Sequence, residues 1–170
     1  MAEKKPKTKS ITITLPQGNF PVVFYANRCG VEEEDGHKLV YFGFVRELDK
    51  IEHAIGVFAC IFEKQMLANQ KIDWLAFLNE IGYPSDTRKL NWRPTPGSIL
   101  SVPLVNAAAL ARTDDNAEMR CYNFSAGDAA AMGKEIAGGP IVGQAIALLR
   151  CPADLLRHLL LALFDAGELL

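Results

Sequence analysis

The chain has 170 residues, of which 49% are apolar and 22% charged, with a formal net charge of -2 at pH 7. That length and apolar share suffice for one ordinary domain, or for two small units sharing a core, without metals or disulfides. The mildly acidic balance removes the global basic field expected of a dedicated nucleic-acid or anionic-membrane binder.

Residues 1–10 carry Lys4, Lys5, Lys7 and Lys9, one proline and no periodic apolar residue, and are expected to form a flexible basic arm. No apolar core follows them as a secretory leader requires, so the expected location is cytoplasmic. Ile11, Ile13 and Leu15 alternate with Thr12 and Thr14 as in a half-buried strand, and Pro16–Asn19 closes it as a turn. Pro21–Gly30 and Lys38–Val45, both rich in β-branched and aromatic residues, read as the two strands of a hairpin. Asp35 and Gly36 supply the positive-φ residues of its tight turn.

From His53 to Phe62 the chain is almost continuously apolar, a run that periodicity alone leaves open between a strand and a buried helix, and its Gly56, Val57 and β-branched content tilt the balance to a strand. Helical signals cover Glu63–Gly82, with Asp73 as N-cap for the stripe Trp74, Leu75, Phe77, Leu78 and Ile81, and Gly82 and Pro84 as terminators. Tyr83–Gly97, with Pro84, Pro94 and Pro96, has the composition of a surface linker. The order of elements then recurs. Ser98–Arg112 is strand-like, Thr113–Asn116 a turn and Glu118–Phe124 alternating; Asp128 would cap a short helix, and Gly138, Gly139 and Pro140 break the chain before the apolar run Ile141–Leu149. Pro152 suits the first turn of a last helix whose buried stripe is Leu155, Leu156, Leu159, Leu160, Leu163 and Phe164.

The expected fold class is therefore α+β, with two pseudo-repeated units, each an antiparallel β-hairpin, a further strand and an amphipathic helix. The divisions are the arm at 1–10, a first unit at 11–82, a linker at 83–97 and a second unit at 98–170. The spacing of Cys29 and Cys60 nearly equals that of Cys121 and Cys151, which favours an internal repeat. Direct identity between the halves is poor, so chance likeness between two α+β patterns is the alternative.

No catalytic, cofactor-binding or metal constellation stands out. Glu32, Glu33, Glu34 and Asp35 lack the alternating spacing of a calcium loop and read as a solvated hairpin tip. The four cysteines lie far apart in apolar contexts, as reduced, buried thiols do. His37, His53 and His158 have no local signature of a thiol or metal enzyme, and His158, beside Arg157, reads as a surface residue. Gly133-Lys134 and Gly138-Gly139 lack the spacing of a phosphate loop.

Three functions follow in order of preference. The first is a non-catalytic protein–protein interaction or assembly module that self-associates, as a homodimer or larger homo-oligomer, through its last helix. There Leu161 falls among Asp154, Arg157, His158 and Asp165, with Leu169 and Leu170 just beyond. The second is a small-molecule or nucleotide site, with or without catalysis, between the two units and drawing on Asn27, Arg28, Asn106 and Arg112. The third is nucleic-acid binding through Lys4 and Lys5 with Trp92 and Arg93, cations beside an indole that can stack on a base. The acidic balance ranks it last. No membrane association is expected, because the greasiest stretch, Leu155–Phe164, is about ten residues, against the roughly 20 needed to span a bilayer.

Overall fold

Lys38–Val45 is apolar from Leu39 on and its burial alternates along most of the strand, as it does for a sheet with one face on the core, and the described residues build two four-stranded sheets of this kind. The computed structural model describes residues 13–14, 18–84, 86, 88–99, 101–124 and 141–164. The arm at 1–10, the expected cap at Asp128, the glycine pairs near 133 and 138, and Leu169 and Leu170 lie outside these residues.

The elements are β1 (Ile13–Thr14), β2 (Val22–Tyr25), β3 (Arg28–Glu34), β4 (His37–Leu48), β5 (Ile51–Phe62) and α1 (Lys64–Ile81). They continue with β6 (Leu104–Val105), β7 (Ala107–Thr113), β8 (Asn116–Asn123), β9 (Ile141–Val142), β10 (Gln144–Pro152) and α2 (Ala153–Leu163). One sheet has the order β3-β4-β5-β6, the other β2-β10-β8-β7, and β1 pairs with β9. The fold is mixed α+β, and among the described residues no helix is long and apolar enough to cross a membrane.

Each sheet takes its parallel edge strand from the other half of the chain. β2 runs parallel to β10, Val22 facing Ala147 and Tyr25 facing Arg150, whereas β6 runs parallel to β5, Ile61 facing Leu104. Only Ala26 and Asn27 separate β2 from β3, so the partner changes between adjacent residues. The Ala26 N–H donates to the Arg150 carbonyl at 2.7 Å and the Asn27 N–H to that of Gly43 at 2.9 Å. Pro21–Gly30 is thus two strands in two sheets rather than one hairpin strand. Hydropathy continues across the junction, which is why the pattern hides it. The same change occurs at Asn106 between β6 and β7.

The two asparagines hold these corners. The Asn27 amide donates to the Val45 carbonyl and accepts the Val45 N–H, both at 2.8 Å. The Asn106 amide does the same to Phe124, at 2.8 and 3.0 Å. Each side chain reproduces a strand partner where the ladder ends, so buried backbone groups keep their hydrogen bonds.

One core serves both sheets and both helices. Trp74 of α1 stands edge-on to Phe62 at 6.1 Å and to Phe164 at 6.3 Å, while Phe58 lies between Phe24 and Phe42. The expected stripe of α2, Leu155 through Phe164, is buried throughout. α1 begins at Lys64, so Asp73 is interior to the helix and not its cap; Met66 and Leu67 already anchor the first turns in the core. The first-turn N–H of Lys64 goes to His37 Nδ1 at 3.1 Å, and Gly82 ends the helix at φ 92. Arg157 of α2 donates twice to the Ile81 carbonyl, at 3.0 and 2.6 Å, supplying the cation that the last turn of α1 lacks. Pro152 occupies the position just before the first turn of α2. His158 is not a surface residue: it is 3% exposed, with Nδ1 against the Asp154 carbonyl at 2.7 Å and Nε2 against Asp86 at 3.0 Å. Its polar neighbours in sequence mask a face of α2 that the 83–97 segment covers.

Candidate functional site

The β4–β5 hairpin outgrows the molecule that supports it. Residues 46–55 are all exposed, yet the ladder continues through them, with Arg46 facing His53, Glu47 facing Glu52 and Leu48 facing Ile51. A two-residue turn closes it, Asp49 and Lys50 both holding positive φ (53 and 64), the pairing whose twist matches that of the strands. Leu48 and Ile51 are 56% and 61% exposed at the tip. Ile55, 58% exposed, is the extra residue of a bulge, since Phe44 faces Gly56 and Val45 faces Ala54. At the base of the arm the Tyr25 ring meets Phe44 edge-on at 6.0 Å and the Arg46 guanidinium lies 5.6 Å above the Phe44 ring. Arg28 ties the arm back to β3 through a 2.6 Å ion pair with Glu52, one rung from the tip. The arm is thus an ordered ribbon with apolar side chains in water.

A second feature is a pocket of about 910 Å³ walled by both halves of the chain. Leu39, Ile61, Met66, Leu104 and Phe124 make its apolar surface, and Glu34, Asp35, His37 and Glu63 come from the β3–β4 turn and the β5–α1 junction. Asn106 and Asn123 close the far side, the Asn123 amide donating to the Leu104 carbonyl at 2.6 Å. Its volume lies within the roughly 300–1,000 Å³ of small-molecule sites.

Of the four residues expected at a cleft, Asn106 lines this pocket. Asn27 and Arg28 border a smaller one of about 460 Å³, beside Glu52 and Trp92. Arg112 sits exposed near the end of β7, opposite Ala117, its Nε 3.5 Å from the Asp114 carbonyl. The four do not converge.

Trp92 and Arg93 belong to a strap that crosses the β3-β4-β5-β6 sheet. The Val31 N–H donates to the Leu90 carbonyl at 3.0 Å, and a Cβ on Gly43 would stand 2.5 Å from the Trp92 ring. Arg93 bonds Glu32 at 2.7 Å and lies 5.3 Å above the Tyr41 ring. The Arg93 and Tyr41 hydrogen bonds hold the Glu32 carboxyl below its ordinary range. The indole is engaged by its own sheet. Leu161 packs against the core.

All four thiols are free and buried. Burial pushes each of them up, Cys151 to about 12, so none is a thiolate nucleophile near neutral pH. Among the described residues no group of three or more His, Cys, Asp or Glu could hold a metal ion. Compared with protein families, with curated proteins and with solved structures, the chain matches none.

Proposed function

We propose that the protein is a non-catalytic interaction module that docks a protein partner, in the first instance a second copy of itself, on the β4–β5 arm. One observation carries this reading: the ladder persists through ten consecutive exposed residues, 46–55, with Leu48 and Ile51 paired at the tip. Side chains of that kind gain nothing in water, and leaving both exposed forgoes about 1.5–3 kcal/mol of burial each. Rigid ribbons with apolar tips suit insertion into a partner because little chain entropy is lost on docking. The arm presents more apolar surface than Leu161, which is already packed, and so replaces the last helix as the contact to test first.

The test is Leu48→Glu with Ile51→Glu, measured by light scattering and sedimentation across a concentration series. Wild type is expected to associate and the double variant to run as a monomer with unchanged circular dichroism. Equal masses for the two proteins would rule the arm out as a self-contact. Affinity capture with the same pair would then find any other protein that binds the wild type alone.

We also infer that the two halves are diverged copies of one unit. Asn27 and Val45 repeat in Asn106 and Phe124 at the same separation of 18 residues, and in each half the strand just before the asparagine runs parallel to the last strand of the other half. The offset that sets Asn27 on Asn106 sets Cys29 on Ala108 and Cys121 on Phe42, so the cysteine spacing lends this inference no support. Four buried free thiols suit a reducing compartment, in keeping with a cytoplasmic location.

A further inference from the structure

We propose that the pocket between the two halves binds a small organic cation, an amine carried on an apolar body. The argument begins with the wall. Leu39, Ile61, Leu104 and Phe124 offer apolar contact from both sheets, and the space of about 910 Å³ accommodates a ligand-sized molecule. Orientation then depends on the polar groups, of which the three carboxyls, Glu34, Asp35 and Glu63, are acceptors. Glu63, half-buried at the β5–α1 junction, makes no side-chain cap to the helix it precedes, and Glu34 and Asp35 stand on the opposing turn. None of these three carboxylates pairs with a described cation; the nearby Lys38 instead bonds Glu33, whose carboxyl it holds below the ordinary range.

Donors are few. The Asn106 amide is committed to Phe124 and the Asn123 amide to the Leu104 carbonyl. His37 accepts the Lys64 N–H at Nδ1, which leaves Nε2 as its only donor when the ring is neutral. The amino end of α1 contributes about half a positive charge, and its first donors already serve Val105 through Glu63 and His37 through Lys64. Three carboxylates outweigh that half charge and the Lys64 ammonium, whose stem lies on Gly36 of the β3–β4 turn, and leave the pocket net negative. A primary ammonium brings a positive charge and three donors to those carboxylates and an apolar body to the apolar walls.

The experiment titrates the full-length chain with phenylbutylamine, phenylbutanol and phenylbutyrate, which share a body and differ in the head group, followed by protein-observed NMR. Binding is expected for the amine, about tenfold or more tighter than for the alcohol. Its shifts should centre on Ile61, Glu63 and Leu104, and its affinity should fall with added salt. Glu63→Gln is expected to lower amine affinity about tenfold and leave the alcohol unchanged. Leu104→Trp, which narrows the pocket without touching a charge, should weaken both, and it supplies a second reading should Glu63→Gln fail to fold. Equal affinity for amine and alcohol, preference for the carboxylate, or no binding of any of the three at millimolar concentration would each overturn the proposal.

Discussion

Two glycines are fixed by what lies on them. A methyl group at Gly43 would push the Trp92 indole aside, whereas one at Gly30 would overlap the Trp92 carbonyl oxygen and crowd the Arg93 guanidinium. A side chain can move further than a strap tied by Leu90 and Asn91, so the costs differ. Gly43→Ala is expected to cost about 2 kcal/mol and Gly30→Ala more, in the range of overpacked sites, read from urea midpoints followed by Trp92 fluorescence. The thiols give a second prediction. Their folded pKa values are raised, so the folded state holds protons that the unfolded chain releases above about pH 9. Stability is full below that point and falls as pH rises towards about 12, the value for Cys151. Each thiol contributes up to about 1.4 kcal/mol per pH unit there. Urea midpoints at pH 7 and pH 10.5 should differ accordingly, and Cys121→Ala, buried in the same core, should flatten the dependence while lowering stability at neutral pH.

At the scale of elements, the arm is separable from the core. Asp49 and Lys50 adopt positive φ in a turn that favours Asn and Gly. Replacing the pair by Asn-Gly should raise the thermal midpoint by a few degrees, equivalent to about 0.5–1 kcal/mol, without changing the oligomeric mass; a fall in stability would mean that Asp49 or Lys50 makes a contact the turn needs. Elements built from one contiguous pattern were legible before the structure. Asp35-Gly36 announced its hairpin and the Leu-rich stripe the buried face of α2, while the apolar run at 53–62 only leaned towards the strand that it forms. Legibility failed where a partner sits far off in sequence. Nothing near Asn27 marks a change of sheet except the asparagine itself, and His158 looks wet until Asp86, far off in sequence, meets its ring. The pocket escaped for the same reason, its walls arriving from the β3–β4 turn, the β5–α1 junction, β6 and the end of β8. The arm did leave a signal, a strand pattern running past the point where aromatic residues stop, and Leu48 and Ile51 flanking Asp49-Lys50 are its visible part.

The whole molecule depends on exchange between its halves. With β2 completing the sheet of β10 and β6 completing that of β5, neither half can satisfy its own edges. Fragments 1–97 and 98–170 are expected to be unfolded when expressed apart and to regain the native amide spectrum when mixed. Well-dispersed NMR spectra from either fragment alone would contradict that interdependence. The intact chain should unfold in one transition by fluorescence and circular dichroism together, since the core is shared.

The parallel pairing of β2 with β10 also sets a timetable for synthesis. A ribosome delivers Val22–Tyr25 long before their partners Ala147–Arg150, so while the intervening chain is made the nascent protein carries an unclosed sheet with Phe24 and Tyr25 exposed. Closure of that sheet must wait until β10 has left the tunnel, and a product stalled or truncated before it would present those edges to whatever holdases attend the tunnel exit.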